Sequence, residues 1–371
     1  MTPEIAHLDG DAPGTARQLI CLRYGVAGAR PKVYLQAGLH ADEMPGVLAL
    51  QHLLPLLDLA EAEGRVVGEV LVVPAANPIG LSQWAFQRPL GRLEAETLHN
   101  FNRGYPDLAA RAGDLVEGHL TDDPGANAGL IRAALLQAVA EEKARARTDM
   151  VEGQLTLLGW SIDADHVLDL HCDHQAVMHL YASPARPADT ALLCRCTGAK
   201  VALVQDISGG NAFDEAHTVP WLRLRQRFGD RVLSGCFSTT LEYRGQFDVS
   251  DDLAATDAVG LLAYLTAVGA VAGGPAPAHE DALHLPFGGA GEVFAPQGGV
   301  VTWDARPGDK VAEGAVLGHV TDPMTRVRLP IRAGNAGLLF RLELWRSCLR
   351  GQSLGNVAGE IVLRGGDLLS D

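Results

Sequence analysis

Short apolar runs alternate along this chain with longer stretches whose apolar residues recur at helical spacing. Lys32–Ala37 (KVYLQA) and Glu69–Val73 (EVLVV) are almost wholly apolar, and each leads into a turn that contains glycine or proline. Such runs are typical of short buried strands. Between them, the apolar residues of 47–62 have the spacing of a helix. The order strand, helix, strand predicts a layered α/β fold.

The same alternation continues as far as residue 271. The further predicted elements are a helix over 128–146, strands over 166–170, Val201–Val204 and 237–241, and a last helix over 248–271 with Ser250 as N-cap. We therefore predict a mainly parallel or mixed sheet covered by helices. The polar, glycine-rich piece within 105–156 is too long for a simple connection, and we expect it to shape or cover the active site.

The pattern changes after a segment rich in glycine, proline and alanine, AGGPAPAHED, which suits a linker. From about residue 285 onward, short β-prone stretches are separated by turns. A chain of 371 residues also exceeds the usual size of one domain. We predict a catalytic α/β domain over 1–278 and a small all-β domain over 279–371.

Composition narrows the function classes. The formal net charge of −15 repels polyanions, so we expect no nucleic-acid partner. No apolar run is long enough to cross a bilayer and the start, MTPEIAHLDG, lacks the features of a signal peptide, so we expect a cytoplasmic protein without a membrane partner. The six cysteines lack paired spacing and are expected to be buried, small apolar residues.

Two imidazoles and a carboxylate stand at predicted strand ends. His40 and Glu43 follow the first buried strand in AGLHADEMPG, and His171 ends the strand of DHVLDLH. Two histidines and one carboxylate form the ligand set of zinc hydrolases that keep an open fourth position. Asp169 could orient one of these ligands by a hydrogen bond on the side that faces away from the metal. We predict one zinc ion per chain at this site.

Other interpretations of these residues stay open at this stage. His-x-x-Glu alone is common by chance, and His171 could instead be a core histidine that hydrogen-bonds Asp169 or a carbonyl. Four further residues near His171 could serve as ligands in its place. They are Cys172, Asp173, His174 and His179.

Three further groups of residues suit a hydrolase that acts on a carboxylate-bearing amide. Asn102 and Arg103, in HNFNRGYPD, could bind a carboxylate, and an arginine could polarise the scissile carbonyl. Glu242, at the end of the strand over 237–241, could serve as general base. Arg92 is predicted to polarise the carbonyl, and the further candidates for contact with the substrate are Arg88, Tyr243 and Arg244.

The motifs GLHADE, AANPIGL, NFNR, DLHCD and TLEYRG occur in the order of the succinylglutamate desuccinylase and aspartoacylase family, relatives of the zinc carboxypeptidases. The resemblance spans about 35–325. It implies that His40, Glu43 and His171 bind zinc and that Glu242 is the general base. It also implies that Asn102 and Arg103 bind the substrate carboxylate.

An upstream arginine assists the carbonyl in this family, and Arg92 and Arg88 are both candidates here. The C-terminal stretch resembles the biotinyl or lipoyl-carrier type of β-domain but lacks the modification lysine in a tight hairpin. We expect this domain to pack on the catalytic domain, where it narrows the entrance or supports a homo-oligomer.

The function predicted from the sequence is therefore removal of an acyl group from an N-acylated amino acid or a similar small amide. One rival is a metallocarboxypeptidase that acts on peptides. The other is a non-catalytic protein that binds an acylated metabolite.

Overall fold

A large mixed sheet forms the centre of the computed structural model, which describes residues 1–10 and 12–368. Its nine strands lie in the order β1-β2-β4-β3-β7-β11-β9-β10-β12. The neighbours from β4 to β11 run parallel, whereas β1, β2 and β9 run antiparallel to a neighbour. The strands are β1 Thr2–Asp9, β2 Ala16–Gly25, β3 Lys32–Ala37, β4 Glu69–Val73, β7 His166–Asp173, β9 His179–Ala182, β10 Val201–Val204, β11 Phe237–Gly245 and β12 Leu283–Pro286.

Helices cover both faces of this sheet. The helices are α1 Met44–Ala62, α2 Pro78–Leu81, α3 Ala109–Val116, α4 Pro124–Lys143, α5 Asp149–Ser161, α6 Pro187–Thr197, α7 Phe213–Phe228 and α8 Asp251–Ala267. Strand β3 shows why both faces must be covered, because Tyr34 belongs to one apolar core and Val33 and Leu35 to the other. The first core includes α3, α4, α5 and α7, and the second includes α1, α6 and α8.

The predicted α/β pattern is confirmed for the elements that it named. β3, β4 and β10 have the predicted bounds, and α8 begins after Ser250, whose side chain accepts a hydrogen bond from Leu253 N. The piece 105–156 does not cover a site: it forms α3, α4 and most of α5, which pack on the sheet. The antiparallel strands β1 and β2, which form one edge of the sheet, were not predicted.

The C-terminal part contributes eight strands to two antiparallel sheets, of five and four strands, and the fifth strand of the larger sheet comes from residues 175–176. Its strands are β13 Ala290–Phe294, β14 Gly299–Trp303, β15 Lys310–Val311, β16 Val316–Thr321, β17 Arg328–Arg332, β18 Gly337–Leu342, β19 Ser347–Cys348 and β20 Ser353–Ala358. A third core of small apolar residues lies between them. The all-β character predicted after residue 285 agrees with these strands.

Two strand pairings join this part to the rest of the chain. Strand β12 follows the predicted boundary at 278/279 yet pairs in parallel with β10. The short strand β8, Gln175–Ala176, pairs with β18. The division into 1–278 and 279–371 stays a prediction, and residues 369–371 of the second range lie outside the described part.

A short hairpin, the cysteines and the length of the helices are the remaining features of the fold. The short strands β5 Trp84–Ala85 and β6 Arg88–Pro89 form a hairpin. All six cysteines are buried and unbridged, as predicted. Within residues 1–10 and 12–368, every helix is too short or too polar to cross a membrane.

Candidate metal centre and active site

The turn between β3 and α1 carries His40 and Glu43. Gly38 has a φ of 70°, a left-handed conformation that glycine adopts without strain, and it turns the chain away from β3. Glu43 N then donates to His40 O at 3.1 Å, which closes the turn. Glu43 occupies the N-cap position of α1 but makes no side-chain cap hydrogen bond, because its carboxylate faces the two histidines instead.

Helix α1 lies very close to β7 at Gly46. A Cβ atom at this position would lie 2.8 Å from Leu170 Cβ, so a larger residue would push the helix away from the strand. The contact fixes the distance between Glu43, three residues before Gly46, and His171, the residue after Leu170. This glycine therefore positions two parts of the site that are distant in the sequence.

His171 lies near the end of β7, and Glu242 lies opposite it on the neighbouring strand β11. The two residues are Cα partners in the parallel pairing of these strands. Since side chains alternate along a strand, Asp169, His171 and Asp173 share one face of β7. The register thus brings Glu242 to the same cavity as His171.

His40, Glu43 and His171 converge as the sequence predicted. One ligand atom from each lies within 4.8 Å of the others, and all three residues are buried. Glu43 Oε1 is 3.0 Å from His40 Nδ1, and Glu43 Oε2 is 2.9 Å from His171 Nδ1. Such a set of two imidazoles and one carboxylate could hold a divalent transition-metal ion.

The far side of each imidazole is held by an oxygen acceptor. His40 Nε2 lies 2.8 Å from Asn100 Oδ1, and His171 Nε2 lies 2.9 Å from Asp169 Oδ2. These acceptors favour the tautomer with hydrogen on Nε2, which leaves both Nδ1 lone pairs directed toward Glu43. The donor set therefore fits a metal ion bound through Nδ1 of each histidine.

Asp169 is itself held by a buried chain of hydrogen bonds. Gln36 Nε2 donates to Asp169 Oδ1 at 2.9 Å, and Tyr34 donates to Gln36 Oε1 at 2.8 Å. These hydrogen bonds connect β3 to β7 through the core of the sheet. They support the predicted role of Asp169, which is to orient the imidazole of His171.

The electrostatics of the three residues are those of a site that attracts a cation. Burial opposes the charge of Glu43, but His40 and His171 outweigh it and hold the pKa of this carboxyl well below its usual range. Burial also opposes a charged His171, but Asp169 and Glu43 raise the pKa of this imidazole well above its usual value. In His40, burial dominates and lowers the pKa. The guanidinium of Arg92 lies 3.4 Å from both Glu43 Oε1 and His40 Nδ1.

A cavity of about 510 Å³ opens in front of these residues. It brings together seven of the ten residues that the sequence singled out for chemistry or binding. Those seven are His40, Glu43, Arg92, Asn102, Arg103, His171 and Glu242.

The other three predicted residues lie outside the cavity. Arg88 is exposed in the β5–β6 hairpin, with its guanidinium 4.4 Å from the ring centre of Trp345. Tyr243 alternates to the opposite face of β11 and is fully buried in the core. Arg244 has a left-handed φ of 57° and pairs with Asp257 at 3.0 Å. Of the two candidate arginines for the carbonyl, Arg92 is the one that lines the cavity.

Asn102 and Arg103 are buried in a loop with many hydrogen bonds. Asn102 Oδ1 accepts from Phe213 N at 2.8 Å, which leaves the amide NH₂ group to meet a ligand. Gln154 Nε2 donates to Arg103 O at 3.0 Å, and Asn102 N donates to Asn100 Oδ1 at 2.9 Å. Because Asn100 also contacts His40, it connects this loop to the candidate metal site.

Glu242 is a half-buried residue whose Oε2 atom is inaccessible and has no hydrogen-bond partner among the described residues. Burial, followed by the charge of Glu43, raises its pKa to about 8. A cation beside Glu43 would offset that charge and bring the pKa of Glu242 down again. An unpartnered carboxyl oxygen at this position can accept a proton from a water molecule in the cavity.

The alternative ligands take other roles. Cys172 lines the cavity but does not belong to the converging set, and its backbone N donates to Glu43 Oε2 at 3.1 Å. Asp173 accepts from Arg341 at 2.6 Å, and His174 Nδ1 lies 3.0 Å from Glu343 Oε1. His179 Nδ1 bonds the carbonyl of Val177 at 2.9 Å.

Comparison with known proteins agrees with this geometry. The family profile described as "Succinylglutamate desuccinylase/Aspartoacylase catalytic domain" matches residues 29–121, the segment that contains His40, Glu43 and the Asn102-Arg103 loop. A solved protein of the succinylglutamate desuccinylase/aspartoacylase family from Shewanella amazonensis SB2B is 25% identical, with a TM-score of 0.86 over 96% of this chain and 98% of its own. Residues 29–121 therefore match the catalytic domain of the succinylglutamate desuccinylase/aspartoacylase family, and the whole chain is similar to a solved protein of that family.

Two further solved structures share the fold of this chain. A protein from Shewanella frigidimarina NCIMB 400 is 24% identical, with a TM-score of 0.85 over 96% of both chains. The product-bound ectoine utilization protein EutE (DoeB) from Ruegeria pomeroyi is 20% identical, with a TM-score of 0.64 over 95% of this chain and 94% of its own. The comparison with curated proteins found no match.

Sequence reasoning missed the part of the cavity wall that comes from beyond residue 286. No motif identified these residues, because they are scattered over about 80 residues of sequence and come from separate strands and loops. They are Phe287, Ala290, Glu292, Phe340, Arg341, Ser353, Asn356, Arg364 and Leu368. Asn100 was also missed, although it stands two residues before the predicted Asn102.

Proposed function

We propose that this protein is a zinc-dependent amidohydrolase that removes the acyl group from an N-acylated amino acid or a similar small, carboxylate-bearing amide. The observation that carries the proposal is the convergence of both Nδ1 atoms on Glu43, with Glu242 facing the same cavity. This arrangement places a metal-ligand set and a proton acceptor together. The family whose catalytic domain residues 29–121 match is named for deacylases.

His40, Glu43 and His171 would hold the zinc ion, with Asn100 and Asp169 fixing the two imidazoles. When bound, zinc polarises a carbonyl and makes water a better nucleophile near neutral pH. Glu242 takes a proton from the attacking water and passes it to the nitrogen of the leaving amine. Arg92 donates to the carbonyl oxygen as negative charge develops there, and Asn102 and Arg103 bind the substrate carboxylate.

The shape of the cavity supports a small substrate rather than a peptide. Residues of the C-terminal part form one wall of this cavity of about 510 Å³, and they border the space into which a longer chain would extend. This packing also supports the predicted role of the C-terminal part in narrowing the entrance. Its resemblance to a carrier domain, homo-oligomerisation and a cytoplasmic location stay predictions.

Hydrolysis of N-acetyl, N-succinyl and N-formyl amino acids by zinc-loaded protein tests the proposal, with short peptides measured in parallel. We expect turnover of at least one acyl amino acid and little turnover of peptides. Equal activity after complete removal of the metal would contradict the mechanism. Preferential cleavage of peptides would favour the carboxypeptidase, and binding without turnover would favour the metabolite-binding protein.

A further inference from the structure

The C-terminal wall of the cavity contains two guanidinium groups that differ in how they are held. Arg364 pairs with Glu292 at 2.9 Å, and 44% of its side chain is exposed. Arg341 retains only 23% of its side-chain exposure and contacts three partners. A ligand in the cavity therefore meets one guanidinium that is partly exposed, with a single partner among the described residues, and one that is less exposed and held by several.

Arg341 is held by Asp173, Asn356 and His174. Its Nε donates to Asp173 Oδ1 at 2.6 Å, one terminal nitrogen donates to Asn356 Oδ1 at 2.9 Å, and the other lies 3.3 Å from His174 Nδ1. A guanidinium has five N–H donors. Asp173 and Asn356 take two of them, and His174 Nδ1, which Glu343 also contacts, takes at most one more, so at least two remain. Because the group is already ordered, a ligand that accepts from those two donors costs little side-chain entropy.

The backbone on either side of Arg341 is fixed as well. Arg341 is the Cα partner of Ala176 in the pairing of β18 with β8, and Val177 N donates to Phe340 O at 3.0 Å. β8 follows directly after the end of β7. The guanidinium consequently has a fixed place relative to the strand that carries His171.

Asp173 defines where that place is. It lies two residues beyond His171 on the same face of β7, a separation of about 7 Å along a strand. Asp173 is the last residue of β7. Because Arg341 contacts Asp173, it lies past His171, toward the end of this strand. Asn102 and Arg103 come from a different loop, which is anchored to α7 through Phe213. The cavity therefore offers two separate groups of donors near one metal-ligand set.

We propose that Arg341 binds a second carboxylate of the substrate, separate from the one at Asn102 and Arg103, and so determines specificity. This inference rests on the proposed function, since it assumes that the cavity takes a carboxylate-bearing amide. Asp173 balances the charge of Arg341, and the neighbouring Arg364 is balanced by Glu292. Recognition thus depends on two oriented N–H donors rather than on net charge, which favours a planar carboxylate.

The test is calorimetric binding of two probes to the full-length protein, with and without zinc. Succinate carries two carboxylates, and propionate lacks one of them. We expect the unmodified protein to prefer succinate by roughly 10- to 100-fold, the range for charge-assisted hydrogen bonds. Arg341→Met should abolish this preference, and Arg341→Lys, which keeps the charge but loses the fork, should reduce it.

Arg346→Met is the matched control. Arg346 also joins the C-terminal part to β8, through Gln175 at 3.0 Å, but it does not line the cavity. This variant should keep the preference for succinate. The inference is overturned if the unmodified protein shows no preference, if Arg346→Met loses as much as Arg341→Met, or if Arg341→Lys keeps the full preference.

Thermal unfolding separates loss of the fold from loss of binding. Should Arg341→Met fail to fold, Arg341→Lys decides the question. The measurement requires no turnover, so a protein that prefers succinate through Arg341 but hydrolyses no amide would contradict the proposed function alone. A protein that hydrolyses acyl amino acids without this preference would contradict the role of Arg341 alone.

Discussion

Two walls of one cavity are built in different ways. The first comes from the β3–α1 turn, β7 and β11, where each side chain stands at or near a strand end and its partner is set by sheet register. The second comes from strands β13, β18 and β20 and from residues near 364, and its place depends on the pairing of β18 with β8. The difference indicates a division of work: chemistry on the first wall and selection of the substrate on the second.

Loss of a predicted metal ligand should have the largest effect. His171→Ala removes one of the two Nδ1 atoms that are proposed to bind zinc, and it leaves Glu43 with one imidazole partner. We therefore expect loss of zinc and a fall of hydrolytic activity to background. Zinc content after dialysis and hydrolysis of the best acyl amino acid measure both effects.

His179→Ala is the control for that variant. It also removes a buried imidazole, from the neighbouring strand β9, but His179 is not part of the converging set. We expect reduced stability with zinc retained. The assignment fails if zinc is lost from His179→Ala and kept by His171→Ala.

Removal of the proton acceptor should have the next largest effect. Glu242→Gln keeps the size of the side chain but cannot take a proton, so we expect kcat to fall roughly 10²- to 10⁴-fold, the range for general acid–base catalysis. Zinc content should stay unchanged. Steady-state kinetics on the zinc-loaded protein measure this, and a variant with near-normal kcat would exclude Glu242 as the base.

The first wall was largely predictable, and the reason is physical. Parallel strands end at one edge of a sheet, so polar residues that follow buried apolar runs, such as His40 and His171, are expected to meet. The strand pattern also gave the face on which Glu242 lies. The same alternation places the next residue, Tyr243, on the opposite face of β11, in the core, so its predicted contact with the substrate was wrong.

The second wall could not be predicted from the same kind of pattern. Arg341 lies in GLLFRL, where an arginine in an apolar strand looks like an edge residue, and its partners Asp173 and Asn356 are 168 and 15 residues away. Such contacts depend on how two sheets pack, which local periodicity does not encode. The same holds for β12, which completes the large sheet from beyond the predicted linker.

A change at Asp169, which contacts the far side of the His171 imidazole, should have an intermediate effect. Asp169→Asn weakens the acceptor of His171 Nε2, and loss of such partners typically costs about 10- to 100-fold in metal affinity. We expect weaker zinc binding in competition with a chelator, with less change in kcat once zinc is saturating. Unchanged zinc affinity would show that Asp169 serves packing alone.

Asp165→Asn provides the matching control for that variant. Asp165 precedes β7 at the opposite end from His171 and accepts from Arg132 and from Lys32 N. Its loss should lower the melting temperature and leave zinc affinity unchanged.

The smallest effect is expected at the rim of the second wall. Glu292 and Arg364 are partly exposed, with 29% and 44% of their side chains accessible, and such pairs contribute about 0–1 kcal/mol. Glu292→Gln should therefore change kcat/KM less than about fivefold, whereas Glu242→Gln makes the same chemical change on the first wall with a far larger loss of kcat. If both variants lost activity equally, the cavity would respond to its total charge, and the division of work between its walls would be wrong. A loss confined to Glu242→Gln would instead separate a group that moves a proton from one that borders the substrate.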